Sequence, residues 1–204
     1  MRLMAIYLSK HYSVVASDLS RGMIKVAKSR ARKEHVKLKF HVGDMRSTNL
    51  GKFDAVITIY NSIGHLSENG FNRALKNIRS NLKNKGIYIF DILNAERMKL
   101  GKSIKHKFID LATERKGTKI VRFYRFKMDP RRNVFKIEEE IWLQRGLEKP
   151  KVIDEKWDMK IYSLDMLKSL LNKNNFKILS VYGDWGSKFN KIKSDSIVIV
   201  AQKQ

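Results

Sequence analysis

Two carboxylates fall where strands should end: Asp18 after Val14, Val15 and Ala16, and Asp44 after Leu38, Phe40 and Val42. An ionised carboxylate only accepts hydrogen bonds, so one at a strand end can hold both hydroxyls of a ribose. The second acid, followed by apolar Met45, suits the exocyclic amine and flat face of an adenine. Each acid alone has a duller role, Asp18 as a helix cap with Ser20 and Asp44 as the opening of a loop. Two acids at successive strand ends favour a nucleoside-type ligand.

Those acids need a sheet to stand on. Ser20 is a good N-cap, and behind it Met23, Ala27 and Ala31 repeat every four residues beside Ile24. That spacing predicts a helix from about Ser20 to Lys33 with one apolar face. A strand, a helix and a strand of these lengths form a βαβ unit, hence a parallel sheet with a right-handed crossover. In such sheets ligands bind at the carboxyl ends of the strands, where Asp18 and Asp44 lie. Before this unit, Met1 to about His11 reads as a helix with Leu3, Ile6 and Tyr7 on one side.

After Asp44 a short loop leads to Phe53–Tyr60, a nearly continuous apolar run of the kind found in parallel strands buried on both faces. It ends in a polar loop, Asn61 to His65. Ser67 should cap a helix whose Phe71, Leu75, Ile78 and Leu82 form one stripe, with Asn84-Lys85-Gly86 as its left-handed stop. Ile87–Leu93 reads as a further buried strand carrying Asp91 near its end. The order is that of a doubly wound α/β fold.

The texture changes near Ser103. From Phe108 to Tyr162, β-branched, aromatic and charged residues mix at period two. Phe135, Ile137, Ile141 and Leu143 share one face of a strand, and Lys136, Glu138 and Glu140 the other. Asp129 to Asn133 is a turn joining that strand to Lys119–Met128 as a hairpin, and Trp157, Met159 and Ile161 mark another strand. These features predict an antiparallel insertion of three or four strands over residues 103–162, between core segments 1–102 and 163–204. The α/β texture then resumes, with Ser163 capping a helix that bears Leu164, Leu167 and Leu171. Phe176–Tyr182 and Ile197–Ala201 should form a closing antiparallel pair.

The 204 residues suffice for one domain with an inserted subdomain. The absence of cysteine excludes disulfides, thiolate metal sites and thiol nucleophiles. No apolar run is long enough to cross a bilayer, and Ser9, Lys10 and His11 break the N-terminal apolar stretch too early for a signal peptide. A cytoplasmic location is the expectation. The net charge of +23 attracts phosphates. Its lysines are spread over the whole chain, densest from Lys99 to Lys136, which favours a lysine-rich solvated exterior over a dedicated nucleic-acid groove.

Taken in order, these stretches resemble class I S-adenosylmethionine-dependent methyltransferases of the small-molecule type with an antiparallel lid. VVASDLS is similar to the family's ribose-binding motif, which implies that Asp18, Leu19 and Met23 hold the nucleoside. VGDM is similar to its adenine-edge motif, implying Gly43, Asp44 and Met45. FDAVITIYNSIGHL is similar to the motif after which Tyr60 and Asn61 would line the methionine and acceptor side. The implied fold is a Rossmann-like doubly wound sheet with a reversed C-terminal β-hairpin and an inserted antiparallel β lid. The implied cofactor is S-adenosyl-L-methionine, and the implied partner is a small-molecule methyl acceptor.

One motif of the family is missing. A first strand ending in a glycine-rich turn should precede the helix that begins at Met1, and glycine there lets backbone amides approach the ligand. Its strand lies mid-sheet, so its loss should leave neighbouring strands without partners. The favoured expectation is an N-terminally truncated chain starting at an internal Met, ahead of a degenerate remnant or a sheet closed in a new way. DNA upstream of Met1 should then encode the missing strand and a Gly-x-Gly turn. The short chain should bind S-adenosylhomocysteine weakly or not at all.

The resemblance implies in-line methyl transfer, in which the protein chiefly aligns donor and acceptor and keeps water out. His65 is the candidate base, because its ordinary pKa lies near neutrality. Asp91 and Asn94 share its rim, and Tyr124, Trp142 and Trp157 are candidate lid walls. A nicotinamide dehydrogenase is disfavoured by the antiparallel ending, and a nucleic-acid base methyltransferase by Tyr60-Asn61-Ser62-Ile63 where a Pro-Pro-Tyr-type loop would stand. The non-enzymatic alternative is an inactive remnant that binds RNA or an acidic partner through Lys99–Lys136.

Overall fold

The computed structural model describes residues 4–101 and 107–204. Its first half runs α1 (Met4–Leu8), β1 (Val15–Asp18), α2 (Arg21–Lys33), β2 (Lys39–Val42), β3 (Phe53–Thr58), a 3-10 turn (Ser62–His65), α3 (Glu68–Asn81), β4 (Leu82–Leu93) and α4 (Ala95–Lys99). Four long strands follow: β5 (Phe108–Arg115), β6 (Thr118–Asp129), β7 (Val134–Arg145) and β8 (Lys151–Lys160). The chain closes with α5 (Leu164–Lys173), β9 (Phe176–Tyr182) and β10 (Ser196–Lys203). Residues 1–3 of the expected first helix and the expected boundary at 102–103 lie outside the described residues.

Serine hydroxyls start the three longer helices, because each takes up an amide that a first turn leaves without a partner. Ser20 Oγ accepts from Met23 N at 3.2 Å, Ser67 Oγ from Gly70 N at 3.1 Å, and Ser163 Oγ from Met166 N at 3.2 Å. The stripes behind those caps then make the core. Phe71, Leu75 and Ile78 of α3 and Leu167 and Leu171 of α5 are buried against Tyr88, Phe90 and Ile92 of β4 and Ile197 and Ile199 of β10. Edge-to-face contacts join Phe71 to Phe90 (ring centroids 5.8 Å apart) and to Tyr162 (5.5 Å). Helix α3 ends at Asn81, earlier than Asn84-Lys85-Gly86 suggests, and the left-handed residue is Lys85 (φ 57°), inside β4.

The strands form three sheets, ordered β1-β2, β3-β4-β10-β9 and β5-β6-β7-β8. β1 and β2 are parallel, as the βαβ reading requires, with Asp18 opposite Val42. β3 and β4 are parallel, while β10 runs antiparallel to both β4 and β9, giving the reversed closing pair. Among the described residues, no strand joins β1 to β3. Each therefore has a strand partner on one edge alone among the described residues.

That single-edge pairing corrects one expectation. The apolar run at β3 is not buried on both faces: Asp54 and Ala55 are exposed, and Ile57 is 40% exposed. A strand is buried on both faces only where its neighbours extend the sheet beneath covering helices, and β3 has a partner on one side alone.

The antiparallel sheet is a four-stranded meander. Its register sets Tyr124, Glu139 and Glu155 in one row across β6, β7 and β8, and Phe126, Ile137 and Trp157 in the next. This inner face packs on Ala95 and Met98 of α4 and on Leu93. Tyr162 roots it to β4 and α4, donating from N to the Leu93 carbonyl at 3.3 Å while its own carbonyl accepts from Ala95 N at 3.0 Å. Trp142 belongs to the opposite face, 42% exposed against Phe123, so it does not share a wall with Tyr124 and Trp157.

Candidate active site

The carboxyl ends of β1, β2, β3 and β4 carry most of the residues singled out in the sequence. At β1, Asp18 is exposed. One carboxylate oxygen accepts from Ser20 N at 2.8 Å, and the other has no partner among the described residues. Leu19 and Met23 beside it are 69% and 49% exposed. Large apolar side chains are seldom left open together beside an unspent acceptor unless something covers them.

At β2, Gly43 N donates to the Asp18 carbonyl at 3.0 Å, tying the two strand ends together. A Cβ at Gly43 would run into the Thr48 side chain, so only glycine lets the loop turn there. Asp44 lies two residues beyond the partner of Asp18, which puts their Cα atoms roughly 8 Å apart by ladder spacing. Its carboxylate is occupied: Arg46 donates to it from its backbone N at 2.8 Å, from Nε at 2.9 Å and from Nη2 at 2.6 Å. The guanidinium holds the Asp44 carboxyl below the ordinary carboxylate range. Met45 packs against the main core.

At β3 the chain turns through Tyr60 (φ 59°) and Asn61 (φ 55°), two successive non-glycine residues in the left-handed region. Such conformations cost free energy and persist only where neighbours enforce them. The neighbours are visible. Asn61 N donates to both oxygens of Asp91 at 3.2 Å, Leu93 N donates to Asn61 Oδ1 at 3.1 Å, and Asn61 Nδ2 reaches Met159 Sδ of the lid at 3.8 Å. Gly64 leaves room for the Asn61 amide, since a Cβ there would come within 2.7 Å of Nδ2. Asn61 is thus buried and pinned, while the Tyr60 ring beside it is 61% exposed.

Asp91 is half-buried, and burial raises its carboxyl above the ordinary value. Asn94 spends its amide on structure, donating to the carbonyls of Lys191 and Ser194 and accepting from Glu96 N as the cap of α4. His65 ends the 3-10 turn, exposed and with no hydrogen-bond partner among the described residues.

Sequence reading missed two participants. Arg46 is the clamp on Asp44, recognisable only by its i+2 spacing from that acid. Glu139 lies on the inner, apolar row of β7 and is 9% exposed, with its carboxylate 3.6 Å from Arg122 Nε. Burial, with that carboxylate next, pushes the Tyr124 phenol up to about 12. An acid between Ile137 and Ile141 at period two was the available signal. Beside it, the Trp157 indole N–H is buried without an acceptor among the described residues.

Residues 2–86 match the model of the methyltransferase domain. No curated protein matches the chain. Among solved structures, it is similar to an S-adenosylmethionine-dependent methyltransferase from Clostridium acetobutylicum ATCC 824, at 18% identity and TM-score 0.79, over 96% of this chain and 77% of that one. It is also similar to the sugar N-methyltransferase KedS8 from Streptoalloteichus sp ATCC 53650 (19% identity, TM-score 0.75, 97% and 74% covered). A third is the SAM-bound amino pentose methyltransferase CalS10 from Micromonospora echinaspora (15%, 0.72, 97% and 77%). The chain has the fold of these S-adenosylmethionine-dependent methyltransferases. No helix among the described residues is long and apolar enough to cross a membrane.

Proposed function

We propose that this domain transfers a methyl group from S-adenosylmethionine to an amine-bearing small molecule held under the β5–β8 lid. The observation that carries this reading is the rim itself. An exposed acid with one unspent oxygen stands at β1, and a pair of enforced left-handed residues stands at β3. The donor set fits the cofactor. Asp18 offers the acceptor a ribose diol needs, with Leu19 and Met23 beside it as apolar cover for the base. Gly43, Asp44 and Met45 form the adjoining edge, with the Asp44 carboxylate kept ionised by Arg46. Tyr60 and Asn61 face the methionine end. When bound, the cofactor supplies an already activated methyl on a sulfonium, which lowers the demand on protein side chains.

The chain's own part is positioning. Asp91 and the Leu93 amide hold Asn61 and so fix the direction of the exposed Tyr60 ring. Tyr124 and Trp157 wall the acceptor side and exclude water. Glu139 gives that wall a carboxylate to attract an ammonium, and Trp157 offers an unused N–H to an acceptor oxygen. His65, solvent-exposed at the rim, takes the proton that an amine must lose before it attacks. Two of the similar structures are an amino pentose methyltransferase and a sugar N-methyltransferase, which supports the same acceptor class.

The test is methyl transfer from labelled S-adenosylmethionine to a panel of amino sugars, with Asp18→Ala beside the parent. Losing a hydrogen-bonded charge should weaken cofactor binding about 10- to 100-fold. Unchanged cofactor affinity in Asp18→Ala would overturn the reading.

A further inference from the structure

The strongest unassigned surface is on α2. Arg21, Lys25, Lys28 and Arg32 line one groove of about 440 Å³, together with Ile24 and Val42. At 100° per residue these four cations fall within roughly 60° of arc, and they span roughly 16 Å of helix. All four are exposed, and none enters an ion pair among the described residues. The segment from residue 19 to 43 holds eight Lys or Arg and a lone acid, Glu34. Elsewhere the basic surface is interleaved with acids, as in the lid, where Arg122, Arg125 and Lys156 are each paired. The charge of these four cations is neither scattered nor, among the described residues, neutralised.

We propose that this groove binds the phosphate backbone of single-stranded nucleic acid without reading its sequence. Successive cations rise by roughly 4.5 to 6 Å along the helix, close to the spacing of phosphates along an extended strand. The surface is a shallow, open groove along α2 beside Val42 of β2, where one strand can lie. No aromatic ring lines the groove, so base stacking contributes nothing and the interaction is electrostatic.

The test is fluorescence anisotropy with a labelled 12-mer oligouridylate between 50 and 200 mM KCl. Four phosphate contacts predict a loss of about 50-fold in affinity across that range, and two contacts about sevenfold. Lys25→Gln/Lys28→Gln should therefore bind more weakly with the shallower slope. Lys173→Gln/Lys177→Gln, which removes the same charge from the exposed side of the closing elements, should behave as the parent. Equal losses in the two double variants would overturn the proposal in favour of the diffuse positive field. So would capture by phosphatidylserine vesicles with no oligouridylate binding. All four positions are exposed, and circular dichroism verifies that the variants fold.

Discussion

The two halves of the α/β layer are built from similar sequence and end up very differently packed. β4 and β10 each have strands on both sides, and their inward residues Tyr88, Phe90, Ile92, Ile197 and Ile199 are fully buried. β1, β2 and β3 each have one partner, and none of their residues is fully buried. The rim follows the same division. At β4, Asp91 and Asn94 are tied into hydrogen bonds and Asp91 also holds Asn61 beyond β3, while at β1, Asp18, Leu19 and Met23 stand open. Pairing on both edges, more than apolar content, turns a strand into core. It also separates the part of the rim that hydrogen bonds already fix from the part that stands open.

The largest expected effect is on stability. Phe90→Ala removes a ring held between Phe71 and Tyr88 and should cost about 3–5 kcal/mol in denaturant unfolding. Val15→Ala, on the half-exposed β1, should cost under about 1 kcal/mol. Equal losses would erase the contrast.

Two acids sharpen it by pH. Burial raises Asp91, so the folded state holds that proton more tightly than the unfolded chain. The contribution is full below the ordinary value of 3.8 and is lost as pH rises through the raised folded value. Asp44 is the reverse. Arg46 lowers it, so its contribution is present above 3.8 and lost as pH falls through the lowered folded value. Unfolding measured from pH 3 to 7 should therefore show Asp91→Asn flattening the upper limb and Asp44→Asn the lower one.

The smallest effect concerns two buried tyrosines. The Tyr162 hydroxyl has no partner among the described residues, whereas Tyr88 shares a 2.7 Å bond with Thr58 Oγ1. Tyr162→Phe should be neutral or stabilising, and Tyr88→Phe should cost about 1 kcal/mol. Thermal melts of the two variants distinguish these outcomes.

What the sequence made legible was local. The serine caps, the Phe71 and Leu167 stripes, the hairpin at Asp129 and the closing antiparallel pair depend on neighbours within a few residues, and each lies where the spacing put it. What stayed hidden was set by distant partners. Nothing in FDAVIT distinguishes a strand paired on both edges from one paired on a single edge, so the exposure of Ile57 could not be read. Tyr124 and Trp157 share a wall only through the register of three strands, whereas Trp142 falls in with Lys136 and Glu138 by period two alone. For the site, the strand-end acids and the Tyr60–Asn61 loop were legible as a motif. The left-handed backbone was not, because it depends on Asp91 and Leu93, some thirty residues away.

Titration calorimetry with S-adenosylhomocysteine bears most directly on the proposal that the strand-end rim binds the cofactor and that β1, paired on one edge alone, limits it. The comparison is between this chain and one extended ahead of Met1 by a designed apolar strand and a Gly-x-Gly turn. Weak binding by the parent, tightened about tenfold or more once added backbone amides can reach the ligand, is the predicted result. Tight binding by the parent with no gain from the added strand would contradict it.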